Sequence, residues 1–253
     1  MYYEWRKEFR HEPQDNLIFM DIKDKPIPKS GDISGWKLVD IEECGQKLVQ
    51  LSDDVFSIRP VFFRRKVKHS IEDMYVRETV SDMLSKAAES LPDKFKFVIL
   101  DAWRPIEVQE ELFNSYLESF RNKNPKISES ELQELVEKYC AFPSRDVTKP
   151  APHNTGGAID IAIIDASGNR VPMDSDSSAF AESAIRYYEE KLENNEPLTD
   201  DQLGFLRNRR LLYHTMTSVG FSNYPHEWWH FDYGNQNWGK ITGNKAIYGS
   251  IKK

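Results

Sequence analysis

Phe95-Lys96-Phe97-Val98-Ile99-Leu100-Asp101, running into Ala102-Trp103-Arg104-Pro105, is the stretch that decides the fold. Seven positions rich in aromatic and branched residues read as a buried strand. The proline just behind them suits the first turn of a helix, where a missing N–H costs nothing. Val108, Leu112, Phe113, Tyr116, Leu117 and Phe120 then recur at helical spacing. Upstream, Ser70 with Asp73 reads as a helix start, and Val76, Val80, Met83, Leu84, Ala87 and Leu91 form an apolar stripe that stops at Pro92. Downstream, Ser128 with Glu131 is a capping box opening a third helix through Leu132, Leu135, Val136 and Tyr139. Ala158–Ile164 is a second strand, followed by a turn over 165–169 and a return at Arg170–Met173 as its expected hairpin partner. Residues 179–192 and 199–219 look helical, the latter opening on the capping box Thr199/Gln202, and Trp228–Tyr233 is strand-like up to Gly234. Asn16–Met20, Lys47–Leu51 and Arg59–Phe63 look extended. Strands and helices mix without βαβ alternation, so the expected class is α+β, with helices packed on a small, mainly antiparallel sheet.

Composition narrows the function. Aromatics at 12% of 253 residues exclude a disordered chain, and no apolar run approaches the roughly 20 residues that span a bilayer. A net charge of −7 argues against nonspecific binding to nucleic acid or anionic membrane. Two cysteines, Cys44 and Cys140, make no disulfide framework and fit a reducing compartment. The polar start, Met1-Tyr-Tyr-Glu-Trp-Arg-Lys7, has no signal-peptide core, so the expected location is the cytoplasm.

Three segments carry candidate chemistry. In Pro152-His153-Asn154-Thr155-Gly156-Gly157-Ala158-Ile159-Asp160, two glycines let the chain double back. His153 and Asp160 then either face one ion or are a turn histidine beside a strand-entry aspartate. Tyr224-Pro225-His226-Glu227-Trp228-Trp229-His230-Phe231-Asp232 contains H-E-x-x-H, which on a helix is a zinc motif. Pro225 and the aromatic density favour a strand instead, which leaves Glu227 and His230 functional and His226 as a flanking residue. Arg104, fixed by Pro105, can aim a rigid fork of donors at an oxyanion; the plainer alternative is an Asp101–Arg104 ion pair.

Taken together and in this order, Asp101-Ala102-Trp103-Arg104-Pro105, His153 with Asp160, and Glu227-Trp228-Trp229-His230 resemble the VanX-type D-alanyl-D-alanine dipeptidases, zinc peptidases of the Hedgehog/DD-peptidase fold. Asn208-Arg209-Arg210-Leu211 and Gly220-Phe221 fit the same likeness, which covers roughly residues 70 to 235. The resemblance implies one Zn2+ per chain held by His153, Asp160 and His230. It implies Glu227 as catalytic base, Arg104 as the group that meets the tetrahedral intermediate, and a small peptide substrate in cell-wall metabolism. Asp101, Trp103, Asp174 and Asp176 are then candidate substrate-binding residues. Residues 1–60 are expected to be an N-terminal extension packed on a catalytic domain of 61–253.

Two positions depart from the family pattern. A substrate-binding serine two residues before the first zinc histidine is Ala151 here. The aspartate that holds the dipeptide's amino group falls by counting on Ser178, so Asp174 or Asp176 must take its place. A D,D- or L,D-carboxypeptidase acting on muropeptides and a non-catalytic zinc module are the alternative readings.

Overall fold

In chain order the strands are β1 (Leu48–Gln50), β2 (Ser57–Ile58), β3 (Tyr75–Arg77), β4 (Phe95–Asp101), β5 (Ala158–Asp165), β6 (Ser222–Asn223) and β7 (His230–Asp232). The α-helices are α1 (Val61–Arg64), α2 (Glu78–Glu89), α3 (Ile106–Lys123), α4 (Glu129–Glu137), α5 (Tyr187–Glu193), α6 (Asp200–Ser218) and α7 (Gln236–Thr242). This computed structural model describes residues 22–174 and 180–253. Five strands form one sheet in the order β2-β4-β5-β7-β6. β2 runs parallel to β4, and every other pairing in the sheet is antiparallel. β1 and β3 form a separate antiparallel pair. The chain is α+β, with a mainly antiparallel sheet, as the element pattern predicts.

The sheet is the core. Phe97, Val98, Ile99, Ile159, Ile161, Ala162 and Ile163 are fully buried. Val80, Met83, Leu84 and Ala87 of α2 and Leu211, Leu212 and Met216 of α6 belong to the same cluster. A smaller cluster joins Phe113 of α3 to Leu132 and Val136 of α4 and to Cys140. Both capping boxes form as predicted, Ser128 with Glu131 and Thr199 with Gln202. Among the described residues no helix is long and apolar enough to cross a membrane.

Several expectations are corrected. Ser70 does not cap a helix; its Oγ donates to Val67 O, and α2 begins only at Glu78. The reason is Tyr75-Val76-Arg77, a β-favouring run that pairs with Leu48–Gln50, Val49 opposite Val76. Arg59–Phe63 is not extended throughout: the strand is Ser57–Ile58, and the short helix α1 begins directly after Pro60. Residues 180–193 hold a 3₁₀ turn, Phe180–Ser183, before α5 rather than one continuous helix. Strand β7 starts at His230 because Trp228 and Trp229 lie in a turn. The extended reading of Asn16–Met20 lies outside the described residues.

The segment Asp24–Ile27 is held by buried charged side chains. Glu189 Oε1 accepts from Ile27 N at 2.8 Å and from Arg210 Nε at 2.7 Å, and its Oε2 accepts from Arg210 Nη2 at 2.7 Å. His214 Nε2 bonds Lys25 O at 3.0 Å, and Arg186 donates to Ile27 O. Ile27 itself is buried in the main core. Breaking a buried pair by removing one partner leaves the other charge uncompensated. Glu189→Ala is therefore expected to cost about 3–5 kcal/mol in denaturant unfolding; a change below about 1 kcal/mol, the range of exposed pairs, would contradict it.

Candidate metal centre

The register of three adjacent strands builds the site. Asp101 on β4 stands opposite Asp160 on β5, and Asp160 stands opposite His230 on β7. Three residues far apart in sequence therefore sit in one row across the sheet. An irregularity between Ile99 and Asp101 lets β4 end in the turn that carries Arg104.

His153 reaches the row from a 3₁₀ turn, Pro152–Thr155, that enters β5. Gly156 closes that turn with φ of 73°, a left-handed conformation that glycine adopts without strain. A Cβ on Gly157 would collide with Tyr233 O and the Tyr248 ring, so close strand packing also demands glycine there. Buried Arg77 steadies the turn: its Nε donates to Thr155 O at 2.7 Å, and its backbone N donates to Gly156 O at 3.0 Å. Arg104 N donates to His153 O at 3.1 Å, and Asn154 Nδ2 to Arg104 O at 2.6 Å. The Arg104 turn and the His153 turn are thus stapled together.

Hydrogen bonds fix which ring nitrogens face inward. His153 Nδ1 lies 2.8 Å from Ala102 O, a pure acceptor, so that nitrogen carries the proton and Nε2 keeps its lone pair. His230 Nε2 lies 3.0 Å from Asp232 Oδ1, which leaves Nδ1 facing the row. Asp232 is fully buried and also accepts from Asn235 Nδ2 and Asn237 Nδ2. Metal-binding histidines characteristically have such a carboxylate or carbonyl behind them.

The inward atoms are His153 Nε2, His230 Nδ1 and Asp160 Oδ1. Their separations are 3.2 Å, 3.1 Å and 3.4 Å. Ligands about 2.0–2.2 Å from a tetrahedral zinc stand roughly 3.3–3.6 Å apart, so the triangle fits one small cation with little adjustment. With both imidazoles neutral and their outer nitrogens protonated, all three inward atoms are acceptors, which is the arrangement a cation relieves. Among the described residues this is the group of three His, Cys, Asp or Glu side chains with such convergence.

The titration behaviour points the same way. Burial alone would lower the His230 imidazole, yet the Asp232 and Asp160 carboxylates outweigh it and hold the ring well above its usual value. Burial alone would raise Asp160, yet His153 and His230 hold it far below the usual carboxylate range. Both shifts show that the site favours positive charge. Burial pushes the Glu227 carboxyl up to about 7, and nearby Asp160 adds to that against the pull of His230. Glu227 Oε2 lies 3.8 Å from His230 Nδ1, beside the triangle.

A cavity of about 660 Å³ opens over this group. Asp101, Arg104, His153, Asp160, Asp174, Glu227 and His230 all line it. Arg104 is buried; its Nε donates to Asp101 Oδ2 at 2.9 Å, and Phe62 stacks 4.7 Å from its guanidinium carbon. Asp101 therefore sits behind Arg104 as its ion-pair partner. Asp174 Oδ2 accepts from Trp228 Nε1 at 3.2 Å. Trp103 is not among the lining residues; its indole N–H donates to Ile251 O at 3.0 Å. Asp176 and Ser178 lie outside the described residues. His226 is in a turn, packs edge-on to Tyr224 and is not part of the triangle, so the helical H-E-x-x-H geometry does not form.

Two contributors escape the sequence reading. Asp232 was legible in principle, because residues two apart on a strand share a face and His230 sits two before it. Gln109, which accepts from Arg104 Nη1 at 2.5 Å, carries no signal in its spacing.

The chain is similar to several known proteins. The solved VanYB in complex with D-Ala-D-Ala is 18% identical, covers 88% of this chain and 91% of its own, and has a TM-score of 0.37. A mutant of the vancomycin resistance D,D-pentapeptidase VanY, solved in complex with Zn(II), is 15% identical, covers 83% of this chain and 97% of its own, and has a TM-score of 0.40. A D-alanyl-D-alanine dipeptidase from Synechocystis sp. is 28% identical over 215 residues, 79% of this chain and 87% of the relative. Residues 59–247 match the Peptidase M15 family, described as D-Ala-D-Ala dipeptidase, and that span holds every residue of the triangle along with Arg104 and Glu227. The chain belongs to the M15 family of D-Ala-D-Ala dipeptidases.

Proposed function

We propose that this protein is a zinc-dependent dipeptidase that hydrolyses free D-Ala-D-Ala, with one ion held by His153, Asp160 and His230. The observation that carries the reading is the triangle of three inward acceptors beside Glu227 and Arg104 in a single cavity. The donor set, two imidazole nitrogens and one carboxylate oxygen, is one that catalytic zinc accepts while keeping a further position open. The chemistry such an ion supplies is polarisation of the scissile carbonyl and acidification of water.

The chain's own groups do the rest. Glu227 takes a proton from the attacking water and passes it to the leaving amine. Its burial suits that task, since a carboxyl drawn towards neutrality both accepts and releases a proton readily. Arg104 directs its remaining N–H groups at the carbonyl oxygen as negative charge develops there. Of the carboxylates in the described cavity wall, Asp101 is paired with Arg104, Glu137 with Lys37, and Asp160 and Glu227 belong to the centre itself, which leaves Asp174 to recognise a free ammonium group. That feature favours a dipeptide over an N-acylated peptide, and the family's dipeptidase description supports the same choice.

The direct test is a hydrolysis panel with the zinc-loaded protein: free D-Ala-D-Ala, L-Ala-D-Ala, N-acetyl-D-Ala-D-Ala and a muropeptide. Free D-Ala-D-Ala is expected to have the highest kcat/KM, and Glu227→Gln to lower kcat by about 10²–10⁴ with zinc retained. Faster cleavage of the N-acetylated compound or the muropeptide would overturn the dipeptidase reading in favour of a carboxypeptidase. Asp232→Ala is expected to weaken zinc binding about 10–100-fold in competition with a chromogenic chelator; unchanged affinity would show that Asp232 does not support His230.

A further inference from the structure

The geometry points to Gln109 as a positioning residue that holds Arg104 in its working orientation and keeps its charge available to the substrate. This rests on the dipeptidase reading above. Gln109 lies in the first turns of α3 and is almost fully buried. Its Oε1 accepts from Arg104 Nη1 at 2.5 Å. Its Nε2 donates to Ala141 O at 2.6 Å and lies 3.2 Å from Cys140 Sγ. Cys140 and Ala141 line the same cavity, and burial pushes the Cys140 thiol up to about 11, so a neutral thiol faces the amide.

These contacts allow only one orientation of the amide. Turned over, its NH2 would meet the Nη1 donor and its oxygen would meet the carbonyl of Ala141. Arg104 is thereby gripped along two edges. Nε and Nη2 are held by Asp101 Oδ2, and Nη1 is held by Gln109. A guanidinium has five N–H groups, so one on each terminal nitrogen remains for a substrate oxygen.

The residue type matters as much as the contact. An amide accepts from Arg104 without adding charge. A glutamate here would set a second carboxylate against a guanidinium already paired with Asp101, further neutralising the charge that must meet a developing oxyanion. It would also have no N–H for Ala141 O.

The test uses the zinc-loaded full chain with D-Ala-D-Ala as substrate. Gln109→Met removes both hydrogen bonds at similar volume and is expected to lower kcat about 10- to 100-fold, the scale of a small misplacement of a reacting group. KM is expected to stay within about threefold. Gln109→Glu, nearly isosteric, is expected to lose more than Gln109→Met. In an Arg104→Ala background the Gln109→Met effect should largely vanish, because coupled residues are non-additive. The Nη–H resonances of Arg104 are expected to be sharp in the wild type and to broaden in Gln109→Met. Unchanged kcat in both variants, a full Gln109→Met loss persisting without Arg104, or unaltered Arg104 resonances would overturn the proposal. A wild type inactive on every peptide would instead overturn the functional reading, while the resonances would still judge the Gln109–Arg104 contact.

Discussion

Two imidazole nitrogens and a carboxylate oxygen held within 3.4 Å of one another are the constraint on which this site depends. Such an arrangement repels itself unless positive charge sits in the middle. The protein pays for it with rigid support behind each atom. Ala102 O holds the outer nitrogen of His153, and Asp232 holds that of His230. Asp160 is fixed by strand pairing on both sides. Buried polar groups of this kind are maintained only when every outward-facing partner is in place.

The fold brings the row together through strand register. A one-residue slip of β5 against β7 would turn Asp160 away from His230, because alternate residues on a strand face opposite sides. The apolar run Ile159, Ile161 and Ile163 sets that register through burial. Core packing and site assembly are in this sense one event. The Gly156-Gly157 turn then delivers His153 to the end of the row, packed so closely that a Cβ on Gly157 would collide with Tyr233 O. The segment 48–58 also takes part, since β1 pairs with β3 and β2 extends the central sheet beside β4.

Much of this was legible in the sequence, and the reasons are local. The 95–101 strand, the Pro105 helix start and both capping boxes follow from residue chemistry within a few positions. The candidate residues His153, Asp160, Glu227, His230 and Arg104 lie in segments framed by glycines, prolines and aromatics, but each segment alone left a plain structural alternative, and only their combined resemblance to a family gave them roles. What stayed hidden depends on partners far along the chain. Tyr75–Arg77 became a strand only because Leu48–Gln50 was there to pair with it. Trp103, beside Arg104 in sequence, turns away because its indole finds Ile251 O, 148 residues on. Gln109 gains its role from Cys140 Sγ and Ala141 O, more than thirty residues on. Contacts at such separation leave no periodicity to read.

The central claim is that one cation sits among His153, Asp160 and His230. Anomalous diffraction at the zinc edge on crystals of the zinc-loaded protein measures this directly. The account predicts a single strong peak about 2.0–2.2 Å from His153 Nε2, Asp160 Oδ1 and His230 Nδ1, with Glu227 nearby but not bound as a ligand. A peak held by His226, a peak elsewhere in the chain, or no peak at all would contradict it.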